Sequence, residues 1–358
     1  MINVAIVGTQ GVPAKYGGFE SLVENIIGDN CPPDVRYTVF CSSADFSSTT
    51  LEEYKGARLK YVNLHANGIY SVAYDIVSMC RALRGYDVIL VLGVSGCMFM
   101  PILRRLTKAR IIVNIDGLEH RREKWGRAAR WMLRHSEAMA VKYADVIVAD
   151  NKGIQDYVEE TYGKKSALIA YGGDHSERNI DPARMEAILS EYKLSRGAYA
   201  ITVCRIEPEN NCHIILEAFS QTDFSLVFVG NWDHSDFSRS LREKYSSFGN
   251  IRLLDAVYDL DILYTLRSNA GLYIHGHSAG GTNPSLVEAM HFGIPIATWN
   301  VVYNRETTEN KAYYFSSPEE LIELAARKDL HGESMKEIAN RRYLWHLISE
   351  QYVNLFRQ

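Results

Sequence analysis

Short, nearly continuous apolar runs alternate with helical-period segments along almost the whole chain, and this constrains the fold more than any other feature. In the first half the runs fall at 4–8, 37–41, 59–64, 87–93, 110–115, 145–149 and 167–171, with helical patterns at 19–28, 70–84 and 122–143. Strands apolar on both faces and separated by helices belong to a parallel sheet covered on both sides. The alternation breaks in a polar stretch at 174–197. It restarts with runs at 200–204, 225–230, 251–255, 271–275 and 294–298. Two such series predict an α/β protein of two Rossmann-like domains, with the carboxyl ends of both sheets facing a cleft where ligands bind. The 358 residues fit two domains, at roughly 100–200 residues each. The expected boundaries are 1–180 and 195–340, followed by a carboxyl-terminal helix at 341–358 that can cross back to the first domain. That helix ends a pattern at 333–357 in which Trp345, Leu347, Ile348, Tyr352, Leu355 and Phe356 share one face.

Composition removes several classes. Hydrophobic content of 47% with 23% charged residues excludes disorder, collagen and coiled coil. With 39 Lys+Arg against 43 Asp+Glu, a net charge of −4 argues against a dedicated nucleic-acid binder. Six scattered cysteines without a C-x-x-C pair read as reduced cytosolic thiols. Val88–Leu103 carries no charge, but it is shorter than the ~20 residues of a membrane span and is interrupted by Gly93, Ser95, Gly96 and Pro101. A buried strand, a loop and a helix start are expected there. The amino terminus MINVAIVG reads as a strand and not as a signal peptide, so a cytoplasmic location is expected.

The first run leads directly into GTQGVPAKYGGFESLVENII. Gly8, Gly11, Gly17 and Gly18 suggest close approach of another group, and the amides where the helix opens suit a phosphate. A tight strand-to-helix connection is the alternative account of them. The spacing is neither G-x-G-x-x-G nor a Walker motif, and the second strand ends in Cys41-Ser42-Ser43, so a nicotinamide dinucleotide is disfavoured. Glu20 suits the first helical turn without any chemistry.

In the second series two strand ends gather polar groups. In CRIEPENN, Arg205 can grip a diphosphate or pair with Glu207 or Glu209. In HGHSAGGTNPSLVEAMHFGIPIATWN a helix opens near Pro284; Thr282 or Asn283 can cap it, and its free amides would make an anion site. Glu288 lies one turn inside, flanked by Val287, Ala289 and Met290, where it can accept hydrogen bonds from sugar hydroxyls. His275 and His277 are read as scaffold or as ligand contacts. The DLD at 259–261 looks like a helix start, and no metal site is expected.

At these residues the sequence resembles glycosyltransferase family 4, whose fold is GT-B. The motifs are KYGGFE, RIEPEN, GGTNPSLVEAM and YGGD at 171–174. The combination of GTQGVPAKYGGFE, NIDGLEHRREKW and HGHSAGGTNPSLVEAM is most similar to a bacterial rhamnosyltransferase branch that builds surface polysaccharides such as capsule and O-antigen. The resemblance implies a retaining glycosyltransferase that moves rhamnose from dTDP-rhamnose to a hydroxyl of a lipid-linked polysaccharide precursor. The nucleotide sugar is a co-substrate, and no cofactor is implied. Gly17, Gly18 and Arg205 would contact the donor diphosphate. Gly281, Thr282, Asn283, Pro284 and Ser285 would line the phosphates and sugar, and Glu288 would hold the ribose. Asp116 stands where many members have a histidine near the reacting sugar, which makes it the catalytic candidate. Two further departures are Gly280, where the family has a glutamate, and Asn210, where it often has a lysine. The competing expectations are transfer from a UDP- or GDP-hexose, a non-transferring sugar-nucleotide enzyme such as an epimerase, and a catalytically silent nucleotide-sugar-binding protein.

Residues 100–135 hold ten Lys/Arg against three Asp/Glu. Lys124, Arg127, Arg130 and Arg134 recur at helical spacing and predict one basic stripe. It is read as a surface for a lipid-linked acceptor or an anionic membrane, peripheral at the inner face of the cell membrane, or as a solvated charged face.

Overall fold

The computed structural model describes residues 1–14, 17–46, 51–121 and 125–358, with only the backbone of Arg121. The first-half runs become the strands β1 (Ile2–Val7), β2 (Val35–Ser42), β4 (Ala57–Val62), β5 (Val88–Leu92), β6 (Arg110–Asn114), β7 (Val146–Ala149) and β8 (Ala167–Leu168). A two-residue strand, β3 (Glu53–Tyr54), was not expected; it pairs antiparallel with β4 at the sheet edge. The order is β3-β4-β2-β1-β5-β6-β7-β8, parallel from β4 onward. The helices between them are α1 (Gly18–Ile26), α2 (Ser71–Arg81), α3 (Met100–Leu106), α4 (Arg127–Tyr143) and α5 (Lys152–Tyr162).

The second series forms β9 (Tyr199–Val203), β10 (Ser225–Val229), β11 (Ile251–Leu254), β12 (Leu272–His275) and β13 (Ile296–Trp299), with an unexpected edge strand β14 (Tyr313–Phe315). This sheet is fully parallel, in the order β11-β10-β9-β12-β13-β14. Its helices are α6 (Pro182–Glu191), α7 (Cys212–Phe219), α8 (Asp236–Tyr245), α9 (Leu260–Ser268), α10 (Pro284–His291), α11 (Val302–Thr307), α12 (Pro318–Ala326) and α13 (Glu333–Arg342).

The pattern at 333–357 is not one helix. It breaks at Tyr343, whose backbone leaves the helical region, and resumes as α14 (Trp345–Arg357). The break falls where the chain changes unit: residues 1–171 and 345–358 form one compact unit, and 172–344 the other. In the first unit Trp345, Ile348, Tyr352 and Phe356 join the core of β1, β2 and α1. Asn114 donates to the Tyr352 hydroxyl at 2.8 Å, and Ser349 donates to the Asn30 carbonyl. The first bond ties α14 to the end of β6, two residues before Asp116, and the second ties it to the turn after α1.

The uncharged stretch at 88–103 resolves into β5, a loop and the start of α3. Among the described residues no helix is long and apolar enough to cross a membrane. All six cysteines are free thiols.

Candidate functional site

Each parallel sheet reverses its strand order once, between β1 and β5 in the first unit and between β9 and β12 in the second. The loops leaving the carboxyl ends of strands at such a reversal diverge and open a crevice for ligands. The glycine-rich run at 8–18 follows β1, CRIEPENN follows β9 and HGHSAGGTNPS follows β12, whereas the basic stripe follows β6 and YGGD follows β8.

In the second unit the loops after β9 and β12 are tied together. Asn211 donates to the Gly276 carbonyl at 2.8 Å, and Ser278 gives both its amide and its hydroxyl to the Glu209 carbonyl. Asn210 is buried and donates to the Arg205 carbonyl at 2.8 Å. It therefore fixes the backbone beneath Arg205 and adds no charge. The Arg205 side chain is 43% exposed and lies 3.6 Å from Glu207, so its salt bridge is loose enough to yield to an anion.

Asn283 caps α10, with Pro284 in the first turn. Its side chain accepts from both the amide and the hydroxyl of Ser285, and its carbonyl accepts from Leu286 and Val287. The expectation of free amides inside this helix is thereby corrected. The cap consumes them, so an anion here meets the loop around Gly281 and the helix dipole. Thr282 is buried, and Gly280 holds a φ of +119°.

Glu288 is bound from two sides. Its Oε2 accepts from Arg267 Nη1 at 2.6 Å, and its Oε1 lies 3.5 Å from His175 Nε2. Burial alone would push this carboxyl up, but the Arg267 guanidinium and then His175 hold it at about 2. Arg267 also donates to the Ser285 carbonyl and packs over the rings of Phe292 and Tyr273. Gly173 brings the His175 segment close: a Cβ there would sit 2.8 Å from His291 and 2.9 Å from the Glu288 amide. Neither Arg267 nor His175 stood out in the sequence. The available signal for Arg267 was a lone cation on the apolar stripe of α9, with Leu260, Leu263 and Tyr264.

Beside this pair, the His275 and His277 rings stack at 4.2 Å. His275 is 1% exposed; burial and then Arg267 lower its pKa to about 3, so it is a neutral imidazole. Asp259 caps α9, and Asp261 pairs with Arg178, which gives the DLD stretch a structural role.

In the first unit the glycines answer the protein's own atoms. A Cβ at Gly8 would overlap the Leu92 carbonyl, one at Gly11 the Cys41 side chain, and one at Gly17 the Glu20 carboxylate. Glu20 does more than suit a dipole: it accepts from the Thr9 hydroxyl at 2.8 Å and the Gln10 amide at 2.7 Å, clamping the loop. Gly18 opens α1, which has no side-chain cap. Asp116 follows β6 at φ +59°, its amide bonded to Asn114 Oδ1 at 3.0 Å. Burial first, and then the charges of Asp116 and Asp150, push the Tyr171 phenol far up. On α4, Arg127 and Arg134 are exposed and Arg130 is half-buried, while Lys124 lies outside the described residues.

Residues 186–340 match the family described as glycosyl transferases group 1, and residues 1–174 match a domain of unknown function (DUF1972). A curated relative, O-antigen chain mannosyltransferase B of Escherichia coli, is 26% identical over 206 residues. That match covers 53% of this chain, and the chain spans about half the length of the relative. Sucrose-phosphate synthase from Thermosynechococcus elongatus superposes with a TM-score of 0.81 at 15% identity, covering 100% of this chain and 99% of its own. HepE of Anabaena, in complex with UDP-glucose, gives 0.77 at 14% identity over 100% of both chains. The fold class is GT-B, with two Rossmann-like α/β domains.

Proposed function

We propose that the chain is a glycosyltransferase of polysaccharide biosynthesis whose second unit holds a nucleotide-diphosphate sugar. The observation that carries this reading is the ionised Glu288, fixed by buried Arg267 at the strand reversal of a unit that matches glycosyl transferases group 1. A carboxylate is acceptor-only, so it suits the paired hydroxyls of a ribose. Breaking the anomeric C–O bond leaves positive character on the sugar and added negative charge on the diphosphate. Arg205 and the amides around Gly281 stabilise that charge in this reading, and Asn210 leaves Arg205 as the cation of its loop. The residues from Thr282 to Ser285 line the donor, and the uncapped start of α1 at Gly17 and Gly18 offers amides to an anion. Asp116 is the group assigned to the reacting sugar. The transfer is assigned a retaining outcome on the strength of the family resemblance.

The donor we favour is dTDP-rhamnose, on the resemblance of the combined motifs. A GDP-hexose is the second reading, favoured by the mannosyltransferase relative. Incubating the protein with dTDP-rhamnose, GDP-mannose and UDP-glucose, with and without a lipid-linked saccharide, separates these readings. Transfer from dTDP-rhamnose supports the first. Epimerised sugar nucleotide without transfer would replace it with the epimerase reading, and donor binding without turnover would leave a silent binding protein.

For the acceptor we propose a lipid-linked saccharide met at an anionic membrane, with the peripheral location at the inner face that this implies. Met98, Ile102 and Leu106 form an exposed apolar stripe on and just before α3, and Trp131 is 61% exposed on α4. The two helices lie side by side, since the Met98 amide donates to Ser136 Oγ at 3.0 Å. Exposed Arg105, Lys108, Arg127 and Arg134 surround them, and neither 97–108 nor 125–136 contains an acidic residue. Apolar anchors ringed by cations suit an anionic bilayer. Co-sedimentation with phosphatidylglycerol vesicles, but not with pure phosphatidylcholine, is expected. Equal pelleting with both contradicts it.

A further inference from the structure

The loop that carries Asp116 runs on through Glu119–Arg121, and its histidine is bound into a cluster with no sequence signature. Glu137, on the inward face of α4, is 1% exposed. It accepts from His120 Nδ1 at 3.1 Å and from the hydroxyls of Tyr157 and Tyr162, each at 2.7 Å. Burial would push the Glu137 carboxyl up. The three donors, His120 first, outweigh it and hold the group below the usual carboxylate range. A carboxylate so deeply buried is stable only because its lone pairs are so fully engaged.

A carboxylate on Nδ1 decides where the imidazole carries its proton. The neutral ring is held with Nδ1–H toward Glu137 and a lone pair on Nε2, as carboxylates orient histidines in metal sites and catalytic triads. Among the described residues Nε2 has no partner, and the His120 side chain keeps 13% of its surface exposed. The residue stands in the loop leaving the carboxyl end of β6, four residues beyond Asp116. The edge-on contact of Tyr157 with Tyr162 and the tilted contact of Tyr157 with His120 leave the ring little rotational freedom.

We propose that His120 is a saccharide-binding residue of the first unit, accepting a hydrogen bond from a sugar hydroxyl on Nε2, with Glu137 as its positioning residue. A fixed acceptor in a partly dry wall selects for a hydroxyl and against an anion, because the Glu137 charge lies directly behind the ring. This assignment deepens the transferase reading and rests on it for the identity of the sugar as acceptor.

Full-length protein carrying 15N-histidine tests it, with the His120 signals assigned through His120→Gln. The expected spectrum has the proton on Nδ1, and Nε2 shifts on titration with octyl glycosides of glucose, galactose, mannose and N-acetylglucosamine. In Glu137→Gln the tautomer preference weakens and the glycoside shift shrinks. His120→Gln, which can still donate to Glu137, retains the fold and weakens glycoside binding by about tenfold. An Nε2–H tautomer in the wild type, or no response of His120 to any of the four glycosides, overturns the proposal. Nucleotide-sugar binding is measured on the same sample. Its failure would remove the transferase reading while leaving the histidine result to stand or fall by itself.

Discussion

Arg267 Nη1 lies 2.6 Å from Glu288 Oε2, and Nη2 of the same guanidinium donates to the Ser285 carbonyl at 3.0 Å. One cation from α9 therefore holds both the capped start of α10 and the carboxylate one turn further on.

Arg267 is 3% exposed and Glu288 19%, so removing one partner strands the other's charge at a cost of about 3–5 kcal/mol. Arg267→Ala is expected to lose that much stability in urea unfolding at neutral pH. Glu288→Gln should lose less, because the amide oxygen still accepts from the guanidinium. A double replacement by methionine should recover part of the loss. A change below about 1 kcal/mol in Arg267→Ala would mean the pair is a surface contact.

The acid response should divide into two windows. The Glu288 carboxyl is held at about 2 against an ordinary 4.5, so its contribution is complete above pH 4.5 and is lost as pH falls toward 2. His275 runs the other way. Its folded pKa of about 3 lies below an ordinary 6.5, so the unfolded chain takes up the proton first and stability falls from pH 6.5 downward. His275→Phe should flatten the stability curve between pH 6.5 and 4.5, and Glu288→Gln should flatten it below 4.5. Chemical denaturation across that range reads both.

Gly280 holds a backbone conformation that favours glycine. Its φ of +119° is a backbone that L side chains rarely adopt, although nothing lies within 4 Å of its Cβ position. Gly280→Ala should cost about 1–3 kcal/mol through backbone strain alone. Gly8→Ala should cost more, since a Cβ at φ +92° also overlaps the Leu92 carbonyl. Thermal melts of the two variants compare strain with strain plus collision.

Asp116→Asn is expected to keep the fold, because asparagine accepts the same positive φ and leaves the amide bond to Asn114 intact. Turnover should nevertheless fall by more than about tenfold if the carboxylate acts on the reacting sugar. Full turnover with an unchanged melting temperature would remove Asp116 from the chemistry.

The twelve apolar runs were legible as strands because a buried parallel strand has few other ways to look. β3 and β14 were not: Glu53–Tyr54 is too short and polar for a pattern, and Tyr313–Phe315 is a half-buried edge. The end of α13 at Tyr343 carries no glycine or proline; it is set by the passage of the chain from one unit to the other. At the site, capping by Asn283 was readable locally. Its consequence, that the first helix amides are spent, depends on the Asn283 side chain and carbonyl turning onto Ser285, Leu286 and Val287. Arg267 and His175 reach Glu288 from 21 and 113 residues away, a proximity that only the folded sheet creates.

In the proposed function the second unit takes a nucleotide-diphosphate sugar through Arg205, the Gly281 loop and Glu288. Titration calorimetry of the full chain with UDP, GDP and dTDP tests it most directly, using Arg205→Ala and Glu288→Gln as comparisons. Binding of at least one diphosphate is expected, weakened by about tenfold or more in each variant at unchanged fold. No binding of any of the three, or binding indifferent to both substitutions, would contradict it.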